Sequence, residues 1–434
     1  MPPQIETMKI LHVTHSDIGG AGIAAVRLHE ALLHAGVESK LLTFHKYTDK
    51  ISAHYLYSER DASRFPLFVM VKSLIDRLLR RLKVESDYYG RIRKRHTAGK
   101  AADHQMINFT ISNRHLEKHP LVRDADIIHL HWVCGGGLDF RRFFSRLSKK
   151  VVWTLHDMNP FTGGCHYAYD CNGYMKDCQS CPQLEGVKNS SITSDMLAEK
   201  IGTLNSFKGE LSIVTPSAWL MNCSQKSALF NKLQHRSIYN VVEGTECYLQ
   251  DKWECRENLS IPRNKKVMLC IASPSDFRKG GQMMLDAFEL MNQGDTLLCL
   301  VGGIFEELNH HASVIQLGYI EDKAKMREVY TAVDVFVLPT MADNFPNTIV
   351  ESLRCGTPVV AFDVGGISEQ ISPSNGLLIK TRDTSSLAEG LSQFFDQQSA
   401  YEPQLIAQAA ANEYAVDRVI SQHMALYSSL AGNV

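Results

Sequence analysis

The sequence contains no uninterrupted apolar run of the ~18 residues that a membrane-spanning helix requires. Its start, MPPQIETMKILHV, shows no basic segment leading into a long apolar stretch, so a secretory leader is not expected and a cytosolic chain is. Charge of one sign is also missing. The 46 Lys and Arg meet 47 Asp and Glu, a formal net charge of -1 that leaves no global footprint for a nucleic acid. The glycine-rich turn SDIGGAG falls short of a full dinucleotide fingerprint and has no Lys-Ser/Thr pair of a P-loop. The strand VESKLLTF that follows does not end on an acidic residue, and these absences speak against hydride transfer.

What is present is a globular composition. The 434 residues are 44% hydrophobic and 21% charged, with 28 Gly and 14 Pro spread along the chain, which excludes disordered, collagen-like and coiled-coil classes. MKILHVTH, a helical IAAVRLHEALLHAG and VESKLLTF open a β-loop-α-β series that continues through DADIIHLHW, KKVVWTLHD and LSIVTPS. After a polar stretch at 243–266 a second series begins with KVMLCIAS, GGQMMLDAFELM and TLLCLVGG. It runs on through SVIQLGYI, KAKMREVYTAV, DVFVLPT, PNTIVESLRCG and PVVAFDV. Such alternation predicts two α/β doubly wound domains, at 1–238 and 239–415, while the last helix at 416–434 has no partner that the pattern alone assigns. Residues 60–100 depart from the pattern: twelve Lys or Arg stand against four Asp or Glu, with apolar residues at helical spacing around Arg77, Arg80, Arg81 and Lys83. This basic amphipathic insertion reads either as a helix for an anionic membrane surface or as a helix packed on its own domain.

Four of the 11 cysteines, Cys165, Cys171, Cys178 and Cys181, fall within one loop with the spacing C-x5-C-x6-C-x2-C. Four thiolates can hold structural Zn²⁺ tetrahedrally, with no open position for catalysis. Loop disulfides and plain reduced thiols are the other two readings.

Three further constellations carry chemistry. Gly19 and Gly20, with Gly22, allow a ligand to approach the first strand's carboxyl end. Arg278-Lys279-Gly280-Gly281 places two cations and small residues before a helix, where diphosphate oxygens can be neutralised, a solvated surface pair being the plain alternative. The third is Asp343-Asn344-Phe345-Pro346-Asn347-Thr348-Ile349-Val350-Glu351 followed by SLRCGTPVVAFDVGG.

This last block resembles the nucleotide-sugar site of the retaining glycosyltransferases of GT-B fold, specifically family four. The family has two acidic residues with seven positions between them and then a small-Cys-Gly-x-Pro-Val segment; here Asp343 replaces the usual first glutamate. Proline also stands in SPSDFRKG where many members have an arginine. The loop after VWTLHD, TGGCHYAYDCNGYMKDCQSCP, is similar to a branch of bacterial exopolysaccharide enzymes that includes colanic-acid glycosyltransferases.

The resemblance implies two Rossmann-like domains facing an interdomain cleft, with the last helix at 416–434 crossing back to the first domain. Lys279 and Arg278 would meet the diphosphate, Asp343 the donor sugar, Glu351 the ribose hydroxyls and Tyr319 the base. Residues Asn344, Phe345, Pro346 and Asn347 would line the donor loop. His156 would face donor sugar and acceptor, Asp157 would orient His156 or the acceptor, and Gly19 and Gly20 would lie on the acceptor side, Gly20 also touching the donor. His156, Lys279 and Asp343 are the expected catalytic groups.

The implied reaction moves a sugar, from UDP or another nucleotide, to an oligosaccharide or polyprenyl-diphosphate-linked acceptor. Such a step serves exopolysaccharide, capsule or O-antigen synthesis at the inner face of the plasma membrane. No DxD-like metal site accompanies it, so a catalytic metal is not expected. A sugar-nucleotide epimerase or phosphorylase of the same fold, and an inactive polysaccharide-binding scaffold, are the competing readings.

Overall fold

The computed structural model describes residues 8–59, 61, 94, 107–184, 191–273, 276–291, 293–305, 308 and 311–432. The basic insertion, with Arg77, Arg80, Arg81 and Lys83, lies outside the described residues. The chain divides into two compact units, Met1–Tyr239 together with Ile420–Val434, and Asn240–Val419.

The first unit contains β1 (Lys9–Ser16), α1 (Gly19–His34), β2 (Glu38–His45), β3 (His54–Leu56), α2 (Pro120–Asp124), β4 (Ile127–Leu130), α3 (Phe140–Arg146) and β5 (Lys150–Thr154). It continues with α4 (Ile192–Asn205), β6 (Glu210–Thr215), α5 (Ala218–Lys226) and β7 (Gln234–Ser237). Its seven strands form one sheet in the order β3-β2-β1-β4-β5-β6-β7. Each pairing is parallel. Because helices cover a parallel sheet on both faces, its central strands are apolar along their length rather than alternating. β4 is buried at every position and β5 at all but its first. Trp153 on β5 is the largest fully buried side chain and packs against Phe140 and Phe144 of α3.

The second unit contains α6 (Lys252–Asn258), β8 (Lys266–Ala272), α7 (Gly281–Leu290), β9 (Thr296–Gly302), β10 (Val314–Gln316), α8 (Lys323–Ala332) and β11 (Val335–Leu338). After these come α9 (Asn347–Arg354), β12 (Val359–Phe362), β13 (Gly376–Ile379), α10 (Thr384–Asp396) and α11 (Pro403–Glu413), and α12 (Val416–Ala431) ends the chain. Its six strands, ordered β10-β9-β8-β11-β12-β13, are also parallel throughout. Carboxylate caps fix where the helices start: Asp251, Asp322 and Asp383 accept N–H bonds in the first turns of α6, α8 and α10.

In both sheets the winding direction reverses beside the first strand, between β1 and β4 and between β8 and β11. Loops leaving the carboxyl ends of two such strands diverge and open a crevice there, the usual ligand position in a doubly wound sheet.

Three elements depart from the expectations. α1 starts at Gly19, so the glycines form its first turn instead of preceding it. The polar stretch at 243–266 holds α6. SVIQLGYI is a strand for only three residues, because Gly318 takes a left-handed φ of 64°.

Candidate active site

The reversal point of the second sheet carries the cation pair. A 3-10 turn, Phe277–Lys279, follows β8, and the Asp276 carboxylate accepts the Lys279 N–H at 3.3 Å. Gly280 then caps α7 at a φ of 72°, where a Cβ would stand 2.1 Å from the Pro339 carbonyl oxygen. Only glycine fits that position. The loop leaving β11, the neighbouring strand, ends on Asp343. Its Oδ2 accepts from Lys279 Nζ at 2.7 Å and Arg278 Nη1 at 3.2 Å. Arg278 Nη1 also donates to Ala342 O at 2.9 Å, which ties the cation to the Asp343 loop. Burial raises the Asp343 pKa, but Lys279 and Arg278 outweigh it and hold the carboxyl below its ordinary value. The first glycine of VAFDVGG has a steric reason: a Cβ on Gly365, at a φ of 60°, would lie 1.8 Å from the Asp343 carbonyl oxygen.

The rest of the acidic block begins α9. Pro346 is its N-cap residue, and Glu351 accepts from the buried Tyr330 hydroxyl at 3.1 Å. Burial pushes the Tyr330 pKa well up, so this hydroxyl stays a donor. Asn347 Oδ1 accepts from Asn240 at 3.0 Å, and the Asn344 N–H donates to the Asp343 side chain at 2.9 Å. Phe345 is buried edge-on against Tyr414, with ring centroids 6.0 Å apart, so its ring belongs to the core and only its backbone shapes the loop. Tyr319, 71% exposed after β10, presents an open aromatic face. The structure thus joins Arg278, Lys279 and Asp343 directly, while Tyr319 stands apart from that cluster.

In the first unit His156 and Asp157 follow β5 and line a small pocket with His131, Trp132, Cys134 and Asn159. Asp157 is fully engaged by protein groups. It accepts from Trp132 Nε1 at 2.9 Å, contacts His166 Nδ1 at 2.6 Å and accepts the Asn159 N–H at 2.8 Å. The ring of His156 contacts His131 instead, Nε2 to Nδ1 at 3.2 Å. The Asp157 oxygens thus hold Trp132 and His166, and His131 is a ring partner of His156. Burial brings the His156 pKa down to about 4, leaving a neutral imidazole at neutral pH. HLHW and GGCHY held the missed residues in plain view.

At β1, Gly22 rather than Gly20 is the steric requirement, since its Cβ would meet the Ser16 carbonyl oxygen at 2.5 Å. Gly19, at a φ of 75°, and Gly20 have open space where a Cβ would point.

The four loop cysteines line one small pocket, and all carry free thiols. Backbone N–H groups of Gly163 and Gly173 point at the sulfurs of Cys178 and Cys171, at 3.2 and 3.4 Å. Cys178 and Ser180 take left-handed backbone angles. Burial pushes the Cys165 thiol up to about 12 and the Cys178 thiol to about 11. Beside them Lys200 is buried, its ammonium donating to the carbonyls of Asn159, Pro160 and Thr162 at 3.1, 3.2 and 2.9 Å. Among the described residues it has no carboxylate partner. Three potential metal-ligand atoms come within 4.8 Å of one another in one group of the described residues, His12, His129 and His131. The sulfurs do not form such a group.

Two Rossmann-like parallel α/β units in one chain define the GT-B fold. Residues 265–397, the core of the second unit, match the family model described as glycosyl transferases group 1. Over 282 residues the chain is 25% identical to the Escherichia coli (strain K12) protein named as colanic acid biosynthesis glycosyl transferase WcaC, covering 62% of this chain and 66% of that one. The chain spans between 38% and 66% of the length of the first curated relatives it matches.

Among solved structures, sucrose-phosphate synthase from Thermosynechococcus elongatus superposes with a TM-score of 0.64 at 17% identity, over 98% of this chain and 100% of that chain. Anabaena HepE in complex with UDP-glucose gives 0.60 at 16% identity, over 97% of this chain and 100% of that chain. Relatives named for colanic acid, teichuronic acid and lipopolysaccharide core synthesis all match, so the likeness is not particular to the colanic-acid branch. The chain thus has a GT-B fold and is related in sequence to glycosyltransferases named for diverse bacterial polysaccharides.

Proposed function

We propose that the chain is a retaining, metal-independent family-four enzyme that moves a sugar from a UDP-sugar to a saccharide or lipid-linked saccharide. The acceptor would bind residues 1–238 and the nucleotide sugar residues 239–415. The observation that carries this reading is the Lys279–Arg278–Asp343 cluster at the reversal point of the unit that matches the glycosyl transferase model. A diphosphate entering there competes with Asp343 for both cations and gains their charge as it departs, where such stabilisation counts most. The bond from the anomeric carbon to diphosphate oxygen breaks, and the acceptor oxygen bonds on the same face. The acceptor's proton passes to a departing phosphate oxygen, so no protein nucleophile is needed.

Incubation with a panel of nucleotide sugars and polyprenyl-diphosphate saccharides, read by product mass and anomeric configuration, tests this. Sugar transfer with retention supports it. Inversion, donor interconversion without an acceptor, or saccharide binding without turnover defeats it in favour of another mechanism, an epimerase or a scaffold.

Two finer readings accompany it. Cys165, Cys171, Cys178 and Cys181 are assigned to structural zinc. This is supported by their shared cavity, the N–H groups aimed at two sulfurs and the buried Lys200 ammonium, whose charge a dianionic tetrathiolate would balance. Protein purified without added metal should contain about one zinc per chain, and Cys181→Ser should lose it and become protease-sensitive in the loop. Folded wild-type protein without zinc rejects the assignment.

The basic segment is assigned to the anionic cytoplasmic leaflet. No helix among the described residues is long and apolar enough to cross a membrane, so a peripheral contact is the form this takes. Reversing Arg77, Arg80, Arg81 and Lys83 to Glu should weaken binding to anionic vesicles more than it slows turnover of a soluble acceptor. Unchanged vesicle affinity at low salt would count against it.

A further inference from the structure

The histidines of the first sheet are buried side by side across its reversal point. His12 lies on β1, level with His129 on β4; His131 follows β4 and His156 follows β5. β1, β4 and β5 are consecutive neighbours in the sheet. His12 Nδ1 stands 3.0 Å from His131 Nε2, and His131 Nδ1 stands 3.2 Å from His156 Nε2, with interplanar angles of 29° and 24° along this row. We infer that His12 and His131 are positioning residues: with His156 they form a one-way hydrogen-bond chain that fixes the His156 proton on Nδ1. The inference deepens the reading of His156 as the sugar-facing residue and rests on it for its consequence.

Burial lowers the pKa of all three imidazoles, so each is neutral and has one N–H and one lone pair. Every contact in the row needs one of each, and the three must therefore run in the same sense. The buried end selects that sense. His12 is fully buried and its Nε2 has no hydrogen-bond partner. A buried N–H without a partner is the rarer kind of orphan, so the lone pair falls at this nitrogen and the proton at His12 Nδ1. His12 Nδ1–H then donates to His131 Nε2, and His131 Nδ1–H donates to His156 Nε2, which leaves Nδ1 of His156 as the donor. His131 is itself held: its N–H donates to Val13 O at 2.9 Å, and the Trp153 indole donates to its carbonyl at 2.9 Å.

A metal at His12, His129 and His131 is the competing use of these side chains. His129 meets Tyr427 OH at 2.6 Å and Thr154 Oγ1 at 2.7 Å, while both nitrogens of His131 serve the row. A metal would have to break those contacts, whereas the chain uses them as they stand. The consequence for function is definite: His156 meets a sugar oxygen as a donor and does not take a proton from the acceptor.

The test is nitrogen-15 NMR of the histidine-labelled full chain, which separates protonated from bare ring nitrogens without any substrate. A protonated Nδ1 and bare Nε2 in His156, His131 and His12 are expected. The Nε2–H form or a tautomer mixture at His156, or a stoichiometric metal retained in the Cys181→Ser protein, overturns the inference. His12→Leu, which leaves both rings of the His131–His156 contact in place, should turn His156 into a mixture. His12→Asn, whose amide N–H replaces the Nδ1 donor, should restore the single form. The His12→Leu variant should lose on the order of tenfold or more in kcat/KM, the direction seen when a catalytic imidazole loses its fixed tautomer. Its affinity for free UDP should stay unchanged. If His12→Leu leaves the His156 signals unaltered, the lock is absent. Fixed tautomers in a chain that transfers no sugar would instead defeat the functional reading alone.

Discussion

Replacing Lys279 by Ala is expected to lower kcat/KM by about 10- to 150-fold with every donor sugar tried. The arithmetic is that of a charged hydrogen bond, roughly 1.5 to 3 kcal/mol, removed from a diphosphate that gains negative charge as it leaves. The fold should tolerate the change, because Asp343 keeps Arg278 at 3.2 Å and the Asn344 N–H at 2.9 Å. Glu351→Gln should act differently. It exchanges one carboxylate oxygen for an NH2 group that cannot accept a ribose hydroxyl, so affinity for free nucleotide should fall most. Asp343→Glu restores the residue type usual in the family but extends the group that holds both cations, and it should shift preference among donor sugars. Calorimetry with free UDP and initial rates with intact donors separate the three. Variants Lys279→Ala and Glu351→Gln that both stay within twofold of wild type would remove the donor site from this part of the sheet.

Much of this arrangement was legible because it is local. The strands VFVL and VVAF are apolar at every position, as a parallel sheet covered on both faces requires, and each runs straight into the residues of interest. The edge strand β7 was not legible for the opposite reason. β7 is Gln234–Ser237, QHRS, with no buried position, so its sequence looks like a loop and only pairing to β6 makes it a strand. The donor cluster was visible as two motifs. That Asp343 binds Lys279 instead of standing open to solvent depends on β8 and β11 being neighbours, which spacing does not reveal. The histidine row is the clearest case. His12 and His131 are 119 positions apart, one within β1 and the other just after β4, and each histidine reads as one polar interruption. Their contact exists only once the sheet is wound.

Arg256 has the same long-range character, and its removal should be the most damaging single change to the second unit. The stretch at 243–266 looks like a polar connection, yet Arg256 on α6 is 1% exposed and spends its whole guanidinium on the protein. Nε donates to Ala332 O at 2.8 Å, Nη1 to the carbonyls of Pro262, Arg263 and Lys265, and Nη2 to Asp334 Oδ2 at 2.8 Å. Asp334, one residue before β11, also accepts the Val267 N–H of β8 and the Gln398 amide, and it pairs with Lys252. The group therefore joins α6 to the entrances of β8 and β11, the ends of those strands remote from Lys279 and Asp343.

Arg256→Met keeps most of the buried volume but leaves the carbonyls unmet and Asp334 with one cation fewer. Breaking a buried pair in this way costs about 3 to 5 kcal/mol. Urea unfolding should show that loss, while kcat/KM measured where the variant is still folded should stay near wild type, because the donor cations hang from the other ends of the same strands. A loss below about 1 kcal/mol, the scale of an exposed ion pair, would mean that Lys252 and water compensate fully. The Arg256–Asp334 pair would then carry no structural weight.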